Sequence, residues 1–361
     1  MAPRADILTR ASHFRRRFED AGAVPVETPI LQPAGTLLDL YGEDIRARAY
    51  VTSDALRGEQ MLRPDFTVPV VQMHMASGAT PARYTYAGEV FRRQEQDPDR
   101  ANEYIQVGYE LFDTTGGPEA DAEVFALFTD VLLGLSLRAA TGDIGILTAA
   151  VKGLNTTARR KSALMRHVWR PRRFRALLDR FSGQAPIPAA RTALIATEDP
   201  GAKAGPDIGK RSWPEITARI AALKEDAAVD PIDPSERQAL ESLLSVRETA
   251  PTALEHLRDI AVALPAIAPA LDRTEARLNA MAARGIAVDT LDFEASYGRT
   301  SMEYYDGFVF GFYAETRPDL PPVASGGRYD ALTDAMGSGR YFPAVGGVLR
   351  PDLVLDLECA S

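Results

Sequence analysis

Asp65, Thr67, Arg92, Gln106, Glu110, Tyr304 and Tyr305 combine two carboxylates, a hydroxyl, a guanidinium, a carboxamide and two phenols, all set on or beside short alternating segments. Gln106 and Glu110 are four residues apart in such a segment, so they project from the same strand face. A set of this kind can act as a receptor for a free amino acid. Asp65, Thr67 and Gln106 can hold an α-ammonium, and Arg92 can take an α-carboxylate in a bidentate fork. Glu110 with a tyrosine can exchange hydrogen bonds with a ring N–H, as an imidazole requires. Polar residues on strand faces also occur simply as members of ordinary hydrogen-bond networks. On composition and spacing alone, that plainer reading has the larger share.

The elements that must position these residues follow from the hydrophobic pattern. Ala5 to Ala21 has Ile7, Leu8, Ala11, Phe14 and Phe18 at helical spacing, stopped by Gly22. Val24 to Leu31 is extended and proline-containing, which suits an edge. Ala49 to Thr52 is a strand candidate, and Val68 to Met75 a helix with proline in its first turn. Arg83–Arg92 and Glu103–Phe112 both alternate, and the polar loop Gln94–Asn102 joins them as an antiparallel pair. Ala120 to Leu137 reads as a helix. From about 150 to 285 the chain turns helical and rich in Ala, Leu and Arg, broken by prolines. Strand character returns at Ala287–Phe293 and Gly307–Tyr313. A glycine turn at Gly326-Gly327, a helix and a last strand at Pro343–Gly347 follow.

At 361 residues the chain can hold a large core plus an insertion. Its formal charge of −9 disfavours phosphate backbones, so no nucleic-acid partner is expected. The basic run Arg159–Arg175 reads as a solvated helix face with Trp169 and Phe174 turned to the core, or alternatively as a docking surface. The single cysteine, Cys359, allows no disulfide within the chain, and no stretch approaches about 18 consecutive apolar residues, so a cytoplasmic setting is expected and no membrane. His13, His74, His167 and His256 lack metal-ligand spacing, so no metal site is expected.

Five segments occur in the order and spacing of histidyl-tRNA synthetase: Leu62–Thr67, Gly88–Arg92, Tyr104–Glu110, Glu303–Tyr305 and Gly326–Asp330. From about residue 5 to 350 the chain resembles the catalytic domain of that class II family. The resemblance implies an α+β fold, an antiparallel sheet flanked by helices, with residues 1–150 and 286–361 as the synthetase-like core and 151–285 as a helical insertion. It implies a histidine pocket lined by Asp65 (where the synthetase has a glutamate), Thr67, Arg92, Gln106, Glu110, Tyr304 and Tyr305. The departures bear on the ATP side. Thr300 stands where the synthetase has an arginine that acts in adenylate formation, and Arg299 is one residue displaced. Asp99-Arg100-Ala101-Asn102 keeps one of two loop arginines, and Arg350 follows Gly346-Gly347 sooner than the family arginine does. Adenylate formation needs cations where negative charge develops; binding an amino acid does not. No anticodon-binding domain is expected. With these losses the chain resembles the regulatory subunits of ATP phosphoribosyltransferase. That resemblance implies no independent catalysis and no cofactor, a short catalytic subunit as partner, histidine as feedback effector, and a homodimer within a hetero-oligomer, since Glu27-Thr28-Pro29 is similar to the family's dimerisation motif. The alternative left open is a stand-alone histidine-activating enzyme.

Overall fold

The computed structural model describes residues 2–35, 48–94, 100–201, 205, 209–299, 304–337 and 340–359. Thr300, Glu303 and Asp99, which entered the comparison of motifs, lie outside them. Helix α1 (Arg4–Asp20) buries Ile7, Ala11, Phe14 and Phe18, the residues whose spacing marks its apolar face, whereas Leu8 stays exposed. Strand β1 (Val24–Pro25) follows, then a separate three-stranded sheet of β2 (Leu31–Pro33), β3 (Val51–Asp54) and β4 (Gly58–Leu62). Helix α2 (Thr67–Ser77) leads to the long hairpin β5 (Ala82–Phe91) and β6 (Glu103–Phe112). The two segments pair antiparallel as the sequence suggests, with Tyr84 opposite Glu110, Tyr86 opposite Gly108 and Gly88 opposite Gln106, but β6 is buried on both faces from Tyr104 to Phe112 instead of alternating in burial.

The expected helix over 120–137 is shorter, α3 (Pro118–Val131). Gly134, at a φ of 95°, turns the chain, and Leu137–Asp143 becomes strand β7. That strand, Leu-Arg-Ala-Ala-Thr-Gly-Asp, has little intrinsic strand character; its conformation comes from pairing with β10 (Phe308–Ala314) along its whole length. Among the described residues the helical stretch holds eight α-helices and a short strand: α4 (Ile144–Gly153), α5 (Ala158–Met165), α6 (Pro171–Phe181), α7 (Ala189–Ala196), α8 (Trp213–Ala227), α9 (Pro234–Ser245), β8 (Arg247–Thr249), α10 (Ala250–Ile260) and α11 (Ala268–Ala283). Val288–Thr290 is a 3₁₀ turn, so the strand expected over 287–293 is reduced to β9 (Asp292–Glu294). The chain ends through β11 (Ala324–Arg328), α12 (Asp330–Met336), β12 (Ala344–Leu349) and α13 (Pro351–Glu358).

The main sheet has the order β1-β5-β6-β12-β11-β10-β7-β9-β8, antiparallel from β5 through β7, with parallel pairs at β1/β5 and β7/β9. Its two faces do different things. Tyr109 on β6 meets Phe18 of α1 at 5.5 Å between ring centroids, and Phe310 on β10 meets Phe128 of α3 at 5.6 Å, so the odd residues of β6 and the even residues of β10 pack under helices. Gln106 and Glu110 face the other way. The last helix of the helical stretch is tied to the core by a buried ion network. Arg277 on α11 donates to Asp121 on α3 (3.2 Å) and to Asp143 at the end of β7 (2.8 Å), with its guanidinium 4.5 Å from the Phe308 ring centroid. Asp121 also binds Arg328 at 2.7 Å.

Candidate functional site

The face of the sheet opposite α1 and α3 carries a cavity of about 480 Å³, with the start of α2 at its edge. Asp65, Thr67, Arg92, Gln106, Glu110, Tyr304 and Tyr305 all line it, though they come from four separate segments. At its floor is Glu110, which is 1% exposed. Three hydroxyls donate to its carboxylate: Thr67 (2.9 Å) and Tyr86 (2.8 Å) to Oε1, and Tyr329 (2.6 Å) to Oε2. Burial disfavours the charge and outweighs these hydrogen bonds; with the nearby Asp65 carboxylate adding to it, the Glu110 carboxyl is pushed up to about 7. Burial also raises the phenols of Tyr86, Tyr305 and Tyr329, so all three stay protonated and Tyr86 and Tyr329 keep donating to Glu110.

Two glycines make this arrangement possible. Gly346 lies opposite Glu110 in the β6/β12 register, and a Cβ there would collide with Glu110 Oε2. Gly108 lies opposite Tyr86, and a Cβ there would run into the Tyr86 ring, which crosses Gly108 to reach Glu110. Phe66 stacks on Tyr86 at 4.3 Å, and the Arg63 guanidinium sits 3.9 Å from the Phe66 ring centroid while donating to Glu89 O and Thr28 O. The Leu62–Thr67 segment is thereby clamped to the hairpin.

The remaining residues have distinct roles. Gln106 is 3% exposed, and its Oε1 has no hydrogen-bond partner, so the cavity holds an acceptor awaiting an N–H. Asp65 Oδ1 accepts from Val68 N at 3.4 Å at the start of α2. Thr67, expected beside an ammonium, spends its hydroxyl proton on Glu110 instead, so it orients the carboxylate. Arg92 is held by Nε donating to Pro64 O at 2.7 Å. Tyr304 and Tyr305 meet edge to face at 4.9 Å, and Tyr304 lies 6.1 Å from Tyr329. Tyr86 and Tyr329 are the contributors that sequence reasoning missed. Tyr329 was visible only as part of a turn motif, and Tyr86 only as one residue of an alternating strand.

The cations near the cavity are engaged. Arg350 stacks 4.0 Å over Tyr104 and pairs with Asp352 at 2.7 Å, and Arg100 donates to Asp319 O at 3.2 Å. Arg299 does not line the cavity: it turns toward the helical stretch and donates to Val168 O at 2.7 Å. In the basic run, Phe174 and Leu164 are buried and Arg160 is tied to Asp226 at 2.7 Å.

Fold and pocket together define a class II synthetase-like chain. The family model described as histidyl-tRNA synthetase matches residues 5–199 and 217–354. Relatives named ATP phosphoribosyltransferase regulatory subunit are 32% identical in Brucella anthropi and 31% in Brucella canis, each alignment covering 89% of both chains. A solved ATP phosphoribosyltransferase regulatory subunit/histidyl-tRNA synthetase from Bacillus halodurans C superposes with a TM-score of 0.67 at 22% identity, over 98% of this chain and 79% of that one. Histidyl-tRNA synthetase from Nostoc superposes at 0.64 with 17% identity, over 98% and 72%. The chain belongs to the histidyl-tRNA synthetase family, on its branch of ATP phosphoribosyltransferase regulatory subunits. Among the described residues, no helix is long and apolar enough to cross a membrane.

Proposed function

We propose that this chain is a non-catalytic, cytoplasmic subunit that binds histidine over β6 and reports it to a short catalytic subunit of ATP phosphoribosyltransferase, in the first step of histidine synthesis. The observation that carries the reading is the convergence of all seven residues on one cavity whose floor is a hydroxyl-bound glutamate and whose wall holds the unpaired Gln106 acceptor. An α-ammonium beside Asp65 and Gln106, a carboxylate on Arg92 and an imidazole between Glu110 and the Tyr304–Tyr305 pair use every group in the chemistry it favours. Arg299, the arginine nearest in sequence to the family's activating position, points away from the cavity, its Nε donating to Val168 O, which supports binding without chemistry.

The same reading takes residues 1–150 and 286–361 as core, 151–285 as an insertion docked through α11, and the subunit as a homodimer within the larger assembly. Exposed Leu8, Val24, Ile30, Leu31 and Val51 on the N-terminal elements support an apolar self-contact.

A second reading, histidine activation by this chain itself, draws on Arg92, Arg100 and Arg350 around the cavity. Calorimetry with L-histidine on the wild-type chain and on Glu110→Ala, with ATP–pyrophosphate exchange run beside it, separates the two. Saturable binding lost in the variant, without exchange, is expected. Histidine-dependent exchange would establish the enzyme instead, and no binding with or without the catalytic subunit would remove the sensor.

A further inference from the structure

A second cavity, of about 380 Å³, lies where the helical stretch meets the core, between α6, α9, the start of β8 and the loop after β9. Three guanidiniums line it, those of Arg175, Arg247 and Arg299, against two carboxylates, Glu241 and Glu294. Both carboxylates already have partners. Glu241 pairs with Arg237 at 2.7 Å and Arg175 at 3.5 Å, and Glu294 pairs with Arg247 at 2.8 Å while accepting from Ser296 Oγ at 2.6 Å.

Arg299 is the charge left over. It is 5% exposed, and its described contacts are the Val168 carbonyl and the Phe174 ring, 5.0 Å from the guanidinium. Its Nη2 is buried with no hydrogen-bond partner, and among the described residues no carboxylate pairs with it. Burial, and then the charge of Arg175, push its guanidinium down to about 10. A desolvated cation without a counter-charge is costly in a folded chain, whereas an anion beside it recovers that cost. Planar guanidiniums arriving from three segments suit an oxyanion able to accept several N–H bonds at once, which is the geometry of phosphate.

We propose that this cavity is a site for a phosphate group, with Arg299 as its buried anchor and Arg175 and Arg247 as its exposed arms. It is separate from the histidine pocket, and none of its lining residues is shared with that pocket. The source can be inorganic phosphate or a phosphate monoester, and the test distinguishes them.

Binding of inorganic phosphate and of ribose 5-phosphate to the full chain would be measured by calorimetry, at ionic strength held constant with sodium chloride. Wild type, Arg299→Met and Arg175→Ala would be compared; the second variant removes a largely exposed side chain and leaves the fold intact. Saturable binding of either probe, at least tenfold weaker in Arg299→Met, is the expected result, and weakening in Arg175→Ala adds the exposed arm. Binding of the sugar phosphate alone would assign the site to an ester, and binding of both to the phosphate group itself. Should Arg299→Met fail to fold, a tenfold loss in Arg175→Ala alone still supports the site. Absence of saturable binding in the wild type, or undiminished binding in every variant that folds, would overturn the proposal.

Discussion

Glu110 concentrates what the residues of this site do. It is buried, faces three hydroxyl donors and has its carboxyl raised to about 7. Asp306 is raised to about 7 as well, by burial first and then by the neighbouring Asp330 carboxylate. A carboxyl whose folded value lies above its unfolded one retains its proton in the fold while the unfolded chain releases it. Its stabilising contribution is therefore complete below the unfolded value near 4 and is lost as pH rises through about 7. Each such group tilts stability by about 1.4 kcal/mol per pH unit across that window. Denaturant titrations from pH 4.5 to 7.5 are expected to show Glu110→Gln with a visibly flatter fall than wild type; an unchanged slope would mean that Glu110 ionises normally. Glu110→Ala is a harsher change, since each stranded buried hydroxyl costs about 1–3 kcal/mol. For that reason the glutamine variant is the better probe of charge, and the alanine variant of binding.

At the scale of elements, the hairpin β5/β6 and its neighbour β12 set the pocket's geometry. Gly346→Ala puts a methyl against Glu110 Oε2 and Tyr109 O, so the carboxylate must swing away from Tyr329. Calorimetry is expected to show histidine affinity reduced at least tenfold, with a melting temperature lowered by several degrees; retained affinity would show that β12 can yield. Much of this element-level geometry was legible in the sequence. Alternation in β6 put Gln106 and Glu110 on one face, and the apolar spacing of α1 named its buried residues. The Tyr329–Glu110 bond was not legible, because it joins residues 219 apart in the chain and tyrosine in a turn motif has many uses. Strand β7 was hidden for a related reason: its residues prefer no particular structure, and only β10 beside it makes them a strand.

At the scale of the whole molecule, the apolar residues of the N-terminal elements invite a partner. Leu31 on β2 and Val51 on β3 flank the central strand of the small sheet and are 49% and 42% exposed. Light scattering on the eluted chain is expected to give a dimer, and Leu31→Glu with Val51→Glu a monomer of unchanged helical content. A wild-type monomer at micromolar concentration would remove the self-contact. The helical stretch, by contrast, needs no partner to be held: α11 is fastened through Arg277 to α3 and β7 in surroundings where breaking one ion pair strands another.

The glycine pairs of β11 and β12 have a mechanical consequence. Across the centre of the sheet, Glu110, Gly346, Gly327 and Val309 form one row, and Tyr109, Gly347, Gly326 and Phe310 form the next, facing the helices. Where the glycines meet, the wall between pocket and helices is a single thickness of backbone, with Phe128 and Phe310 in direct contact behind Gly347. The sheet there is a diaphragm: pressure from an occupant on one side passes through bare backbone onto the Phe310 ring, and from it to Phe128 of α3 on the other.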